Sequence, residues 1–262
     1  MLSSSLNAII SSTTPNFQRL VFEVSASDKE YKIMLCGDSI SKGVTYDEDR
    51  KKYITLSDNF ASIVQSKLDA TIYNCGKFGN TLVRGISRIG KDLFKFQPNI
   101  VVVEFGGNDC DFKWDEVAAN PKEKHQPATD CDKFYDLLKN LVESLQKKNI
   151  VPVLLTIPPI DAERYFNWIS KNSVAIGDKI TSWLGSVSKI YWWQERYNSA
   201  ITSVAIECHI NCIDTREAFL RTPDFRRLIC ADGIHPNEEG HRVIASKIID
   251  YINSNFSFLL KK

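Results

Sequence analysis

The chain has 262 residues, 43% of them hydrophobic and 25% charged, with 33 basic against 32 acidic side chains and a formal charge of +1. That length suits one large α/β domain or two small ones, and the balanced charge leaves no basic footprint for nucleic acid or an anionic membrane. No apolar stretch approaches the roughly 18 residues of a membrane span, and "MLSSSLNAIISSTTPNF" lacks the basic region and unbroken apolar core of a signal peptide.

In chain order, "RLVFEV" (19–24) reads as an extra edge strand or a small antiparallel addition, and "KIMLCG" (32–37) as the first strand of the main sheet. "LSDNFASIVQSKLD" spaces Leu56, Phe60, Ile63, Val64 and Leu68 by three and four, which is a helix face. "TIYNCG" (71–76) is the second strand, and "TLVRGISRIGKDLFKF" a helix interrupted by glycines. "NIVVVEFGGND" (99–109) opens on the unbroken apolar run of a strand buried on both faces of a parallel sheet. A second amphipathic helix covers 131–148, with Phe134, Leu137, Leu138, Leu141 and Leu145 on one side. "VPVLLTIPP" (151–159) is the fourth strand, a helix lies near 190–208, and "INCIDT" (210–215) is the fifth. In "HPNEEGHRVIASKIIDYI" Asn237 is placed to cap a closing helix, on which His241 is expected to face solvent.

Strand alternating with helix five times predicts an α/β fold with an open, mostly parallel five-stranded sheet and helices on both faces. There is no linker and no internal repeat, so residues 1–262 are read as a single domain. Seven cysteines are an odd number without a framework, and Cys36, Cys75 and Cys208 sit in apolar runs. They read as free thiols of a reducing cytoplasm. Cys208 and Cys212 have no second pair beside them, so no metal site is predicted.

In such a sheet, ligands bind beyond the carboxyl ends of the strands. The first strand is followed by Gly37-Asp38-Ser39, the second by Gly76-Lys77-Phe78-Gly79-Asn80, and the third by Gly106-Gly107-Asn108-Asp109. Asp232-Gly233-Ile234-His235-Pro236 stands just before the last helix. Alone, Gly37-Asp38-Ser39 reads first as a turn and the glycine block as an ordinary βα loop, while Asn108 reads as a cap of the next segment and Asp232–His235 as a satisfied surface pair. Four such segments at separate strand ends favour chemistry. A serine hydroxyl needs a base to take its proton, and the base needs a carboxylate on its other nitrogen. Of the four histidines, His125, His209, His235 and His241, only His235 has a carboxylate three residues away in a strand-end loop. The backbone N–H of Ser39, that of Gly79 and the side-chain amide of Asn108 are candidate donors to an oxyanion.

These blocks, "GDSI" (37–40), "NCGKFGNT" (74–81), "GGND" (106–109) and "DGIHPN" (232–237), stand in the order found in the SGNH hydrolases, also called GDSL esterases and lipases, which the chain resembles over most of its length. The resemblance implies Ser39 as nucleophile, His235 as base, Asp232 as its orienter, and an oxyanion hole of Ser39, Gly79 and Asn108. It implies a flavodoxin-like three-layer α/β/α fold that uses no metal or organic cofactor. Ile40 replaces the leucine that gives one family name, a volume-conserving change. Residues 109–130 form a long loop, and 160–198, with four of the five tryptophans, a second insertion near the site. The latter reads as a lid or substrate wall, or equally as helices packed on the core or on a second subunit. A cytoplasmic serine esterase follows, acting on a carboxylic ester through an acyl-enzyme, with a small acyl ester of a carbohydrate as first substrate. A lysophospholipase or thioesterase is the alternative, and a non-catalytic binding module on the same fold the remote one. A flavodoxin-like cofactor binder is disfavoured, because "GDSISKG" has glycine only at its ends and an acidic residue inside.

Overall fold

A computed structural model of the chain describes residues 30–261. The edge strand expected at 19–24 lies outside the described residues. From β1 (Tyr31–Gly37) the chain passes through one helical turn, α1 (Ser39–Lys42), into an antiparallel hairpin of β2 (Val44–Asp47) and β3 (Lys52–Thr55). Then come α2 (Phe60–Lys67), β4 (Ala70–Asn74), α3 (Leu82–Phe96), β5 (Ile100–Glu104), α4 (Trp114–Ala119) and α5 (Cys131–Gln146). β6 (Val151–Leu155) is followed by α6 (Ala162–Ile169), α7 (Val174–Leu184) and α8 (Ser188–Glu207). β7 (Asn211–Ile213), α9 (Thr215–Leu220) and α10 (Glu238–Asn255) complete the main elements.

The five sheet strands are all parallel and lie in the order β4-β1-β5-β6-β7. Side-chain alternation splits each strand between two apolar layers. Ile33 and Leu35 of β1 pack with Phe60 and Val64 of α2 and Ile244 and Ile248 of α10. Met34 and Cys36 pack on the opposite face with Leu82 of α3, Phe134 and Leu138 of α5, and Val204 of α8. The result is the three-layer α/β/α arrangement that the strand–helix alternation predicts. The chain leaves β1 toward β4 and then returns past it to β5, so the crossovers diverge between β1 and β5. A crevice opens there beyond the strand ends, and Ser39 and Asn108 follow those two strands.

Helix α3 runs unbroken through Gly85 and Gly90, where the sequence predicts an interruption. Gly85 lies against the ring of Phe105, which a Cβ would approach to 2.5 Å, so this glycine brings the helix close to the sheet. The β2–β3 hairpin is absent from the sequence reading, because its four-residue strands are polar and only half-buried. Two further expectations are corrected. Residues 109–130 contain a helix, α4, rather than loop alone. His241 is fully buried, with its ring stacked 5.9 Å from that of Phe60. The first turns of α2 and α10 meet there, and the helix face that carries His241 points inward.

Candidate active site

Ser39 is the first residue of α1, so its backbone N–H has no carbonyl of that helix to donate to. Asp38 caps the same turn: its Oδ1 accepts from Ile40 N at 2.8 Å. The loop from Cys230 to His235 is closed by Cys230 N donating to His235 O at 2.8 Å and Gly233 N to Cys230 O at 3.0 Å. Gly233 takes φ +78°, and a Cβ there would meet the backbone N of Tyr165 at 2.4 Å, so the loop depends on glycine. Its carbonyl accepts from Asp161 N at 2.9 Å, which ties the loop to the start of α6.

Three residues from two distant parts of the chain thereby form one hydrogen-bonded line. Asp232 Oδ2 lies 2.5 Å from His235 Nδ1, and His235 Nε2 lies 2.8 Å from Ser39 Oγ. The other oxygen of Asp232 accepts from Ile234 N at 3.0 Å and His235 N at 3.1 Å. Burial works against the Asp232 charge. The hydrogen bond and charge of His235, with those two N–H groups, outweigh it and hold the carboxyl below the usual aspartate range. A charged Asp232 selects the imidazole tautomer that donates from Nδ1, and Nε2 is then free to accept from the serine hydroxyl. All three side chains are buried.

Asn108 donates from Nδ2 to Asp38 Oδ2 at 3.0 Å, and its second amide hydrogen remains for another acceptor. Gly79 takes φ +66° in the β4–α3 loop, with no atom within 4 Å of where a Cβ would stand, so its backbone is approachable. The structure does not put Gly79 on the wall of the cavity that Ser39, Asn108 and His235 line. Around Asn108 is a set of carboxylates to which the sequence assigns no role. Asp109 accepts from Leu82 N at 3.0 and 3.1 Å and from Thr129 Oγ1 at 2.7 Å, pinning the start of α3 to the end of β5. Burial pushes its pKa up to about 6. Glu104 Oε2 accepts from Ser41 Oγ at 2.8 Å, while burial and the nearby Asp38 charge push the Glu104 carboxyl well above the usual range. Glu104 stands at the end of an apolar strand, the one signal that marks it in the sequence.

The cavity measures about 320 Å³. Its wall is largely aromatic, with Phe112, Trp114, Trp183, Trp192 and Trp193, and α6, α7 and the start of α8 supply much of it. The insertion at 160–198 is therefore a helical wall of the cavity. Asp111 Oδ1 accepts from Trp114 Nε1 at 2.8 Å and from Tyr165 OH at 2.6 Å, which fixes both rings. His125, predicted to sit in a polar loop, also lines the cavity, with its ring 5.4 Å from that of Trp183.

The chain is 24% identical over 156 residues to a GDSL esterase/lipase of Oryza sativa subsp. japonica, covering 58% of this chain and 53% of that protein. It is 24% identical over 143 residues to an arylesterase of Vibrio mimicus, covering 54% of this chain and 62% of that one. The match thus spans about half to three-fifths of these relatives' length. Among solved structures, the fold is like that of a lipase/acylhydrolase from Enterococcus faecalis, with a TM-score of 0.62 at 20% identity over 88% of this chain and 97% of that one. An acetylxylan esterase of Geobacillus stearothermophilus has a TM-score of 0.58 at 19% identity over 85% of this chain and 94% of that one. The model of the GDSL-like Lipase/Acylhydrolase family matches residues 35–243, four-fifths of the chain, and the chain belongs to that family.

Proposed function

We propose that the protein is a serine esterase that hydrolyses a carboxylic ester through an acyl-enzyme. The observation that carries this reading is the unbroken line from Asp232 through His235 to Ser39 Oγ. In this reading His235 Nε2 takes the Ser39 proton as Oγ attacks the ester carbonyl, and Asp232 stabilises the imidazolium that forms. The oxyanion is held by Ser39 N–H, Gly79 N–H and the amide hydrogen of Asn108 not used by Asp38. His235 then protonates the leaving alcohol, and water repeats the sequence on the acyl group. The seven unpaired thiols favour a reducing, cytoplasmic setting. Among the described residues, no helix is long and apolar enough to cross a membrane.

A small acyl ester of a carbohydrate is the first substrate class, supported by the likeness in fold to an acetylxylan esterase. The size and aromatic wall of the cavity favour a second reading, a longer apolar acyl group of the kind a lysophospholipase or thioesterase accepts. A series of p-nitrophenyl esters from acetyl to dodecanoyl separates them: kcat/KM highest at acetyl supports the first, and highest at octanoyl or longer the second. Labelling by a fluorophosphonate, mapped to Ser39 by peptide mass, tests the nucleophile. Absence of label on the folded protein favours a non-catalytic binding module.

A further inference from the structure

An ester held at Ser39 has two arms, and the protein offers two separate apolar surfaces beside that serine. One is the aromatic cavity described above. The other is an open shelf of rings around the imidazole. Phe78, which is 51% exposed, stacks on His235 with centroids 6.0 Å apart and planes 7° from parallel. Tyr53, from the β2–β3 hairpin, lies 5.1 Å from His235 and 5.2 Å from Phe78. Tyr46 and Tyr53 continue the surface to Trp168 of α6, at 4.8 and 6.3 Å. None of these four rings lines the cavity, and none belongs to the three apolar clusters of the core. A large ring left half in water beside a reactive group is not explained by packing.

We propose that this shelf binds the alcohol portion of the substrate, as a ring with a flat apolar face, while the cavity keeps the acyl portion. The proposal rests on the roles given above to Ser39 and His235. When the Ser39 Oγ–acyl bond has formed and the C–O bond of the ester breaks, the proton taken from Ser39 passes from His235 Nε2 to the leaving oxygen. That oxygen must come within hydrogen-bond reach of Nε2, so the atoms attached to it lie among the rings that flank the imidazole. The alcohol has to depart before water takes its place, which an open surface permits. The acyl group stays bonded to Ser39 through that exchange, which an enclosure protects. The shelf's own rings, Phe78, Tyr46, Tyr53 and Trp168, are uncharged, so it favours a neutral ring. A phenyl group stacks on such rings directly, and a sugar presents the C–H face of its ring to them.

The test uses esters of one acid with methanol, with phenol and with a sugar hydroxyl, on the wild-type protein and on Phe78→Ala. Dividing wild type by variant for each ester cancels the intrinsic reactivity of its alcohol. The expected result is a loss of kcat/KM about 3- to 10-fold larger for the phenyl or the sugar ester than for the methyl ester. The acyl-length optimum is expected to keep its position, and Phe78→Trp to restore the preference for ring alcohols. Which ring ester suffers more identifies the kind of alcohol. An equal loss on every alcohol makes Phe78 a support for the imidazole alone and overturns the proposal. So does a shift of the acyl-length optimum without discrimination among alcohols. The underlying reading is judged separately: turnover that survives Ser39→Ala removes the roles of Ser39 and His235, whereas a uniform Phe78 effect on a Ser39-dependent enzyme removes only the shelf.

Discussion

Asn108 donates its side-chain amide to Asp38 across 3.0 Å, so the residue before Ser39 fixes a donor supplied by the neighbouring strand of the sheet. Asp38 holds two N–H groups at once, that of Ile40 through Oδ1 and that of Asn108 through Oδ2. The two variants are expected to differ in degree. Asn108→Ala removes the donor proposed for the oxyanion and is expected to lower kcat by about 10²- to 10³-fold. Asp38→Ala leaves the amide present but unfixed, and a smaller fall of about 10-fold in kcat is expected, since a donor that must be reoriented still acts. Steady-state kinetics on one ester, with KM little changed in both, checks the pair. A larger effect from Asp38→Ala than from Asn108→Ala contradicts the order of action.

Asp232→Asn is nearly isosteric and is expected to keep the fold while disturbing the tautomer of His235. The carboxylate accepts at both oxygens, and an amide offers only one acceptor. With the tautomer reversed, Nε2 carries the proton and cannot accept one from Ser39. A fall in kcat of about 10⁴-fold is expected by analogy with serine proteases. Thermal unfolding run beside the kinetics separates this from a loss of structure.

His241 predicts a pH dependence of stability that does not involve the site's chemistry. Burial lowers its pKa from 6.5 to about 4, so the unfolded chain binds a proton there that the folded chain refuses. Its contribution is complete above the unfolded value and is lost as pH falls from 6.5 toward 4. Asp109 runs the other way, since burial raises its pKa from 3.8 to about 6, and its contribution is present at low pH and lost as pH rises through that range. The wild-type curve mixes the two, so the comparison needs His241→Gln. The gap in unfolding free energy between wild type and this variant is expected to shrink between pH 6.5 and 4, by at most about 3 kcal/mol. Urea titrations at several pH values measure it, and a gap constant with pH contradicts the buried neutral imidazole.

The cavity wall yields a prediction about acyl length. Trp183 meets Phe112 at 5.0 Å and Trp114 at 6.2 Å, and Asp111 holds Trp114 and Tyr165 by hydrogen bonds. Trp183→Ala enlarges the cavity, and the preferred p-nitrophenyl ester is expected to shift by several carbons toward longer chains. Asp111→Ala releases two rings, and it is expected to raise KM for long-chain esters more than for acetyl. The acyl series used above, repeated on both variants, reads these outcomes.

The parallel five-stranded sheet with helices on both faces was legible because five apolar runs alternate with amphipathic helices, a pattern local to each segment, whereas the strand order depends on pairings far along the chain. Ser39 was legible as a residue type at a strand end, and Asp232 and His235 as a carboxylate and imidazole three residues apart before the last helix; the fold brings Asp232 and Ser39 each within hydrogen-bond distance of His235. Other features depend on partners far along the chain. Thr45 and Tyr53 belong to a hairpin whose polar strands carry no local signal, yet Thr45 meets Cys230 at 3.0 Å and Tyr53 meets His235. The burial of His241 depends on α2 lying across α10, which periodicity alone does not decide, because a histidine fits either face of an amphipathic helix. Glu104 reads as the polar end of a strand, and only its pairing with Gly37 in register places it beside Asp38 and Ser41.

The most direct measurement is the turnover of a p-nitrophenyl ester by wild type and by Ser39→Ala, with both shown to be folded by circular dichroism. Loss of the serine hydroxyl is expected to reduce kcat by several orders of magnitude, about 10⁴-fold or more, while the thermal midpoint stays close to that of wild type. Turnover by the folded Ser39→Ala protein at the wild-type rate contradicts the account.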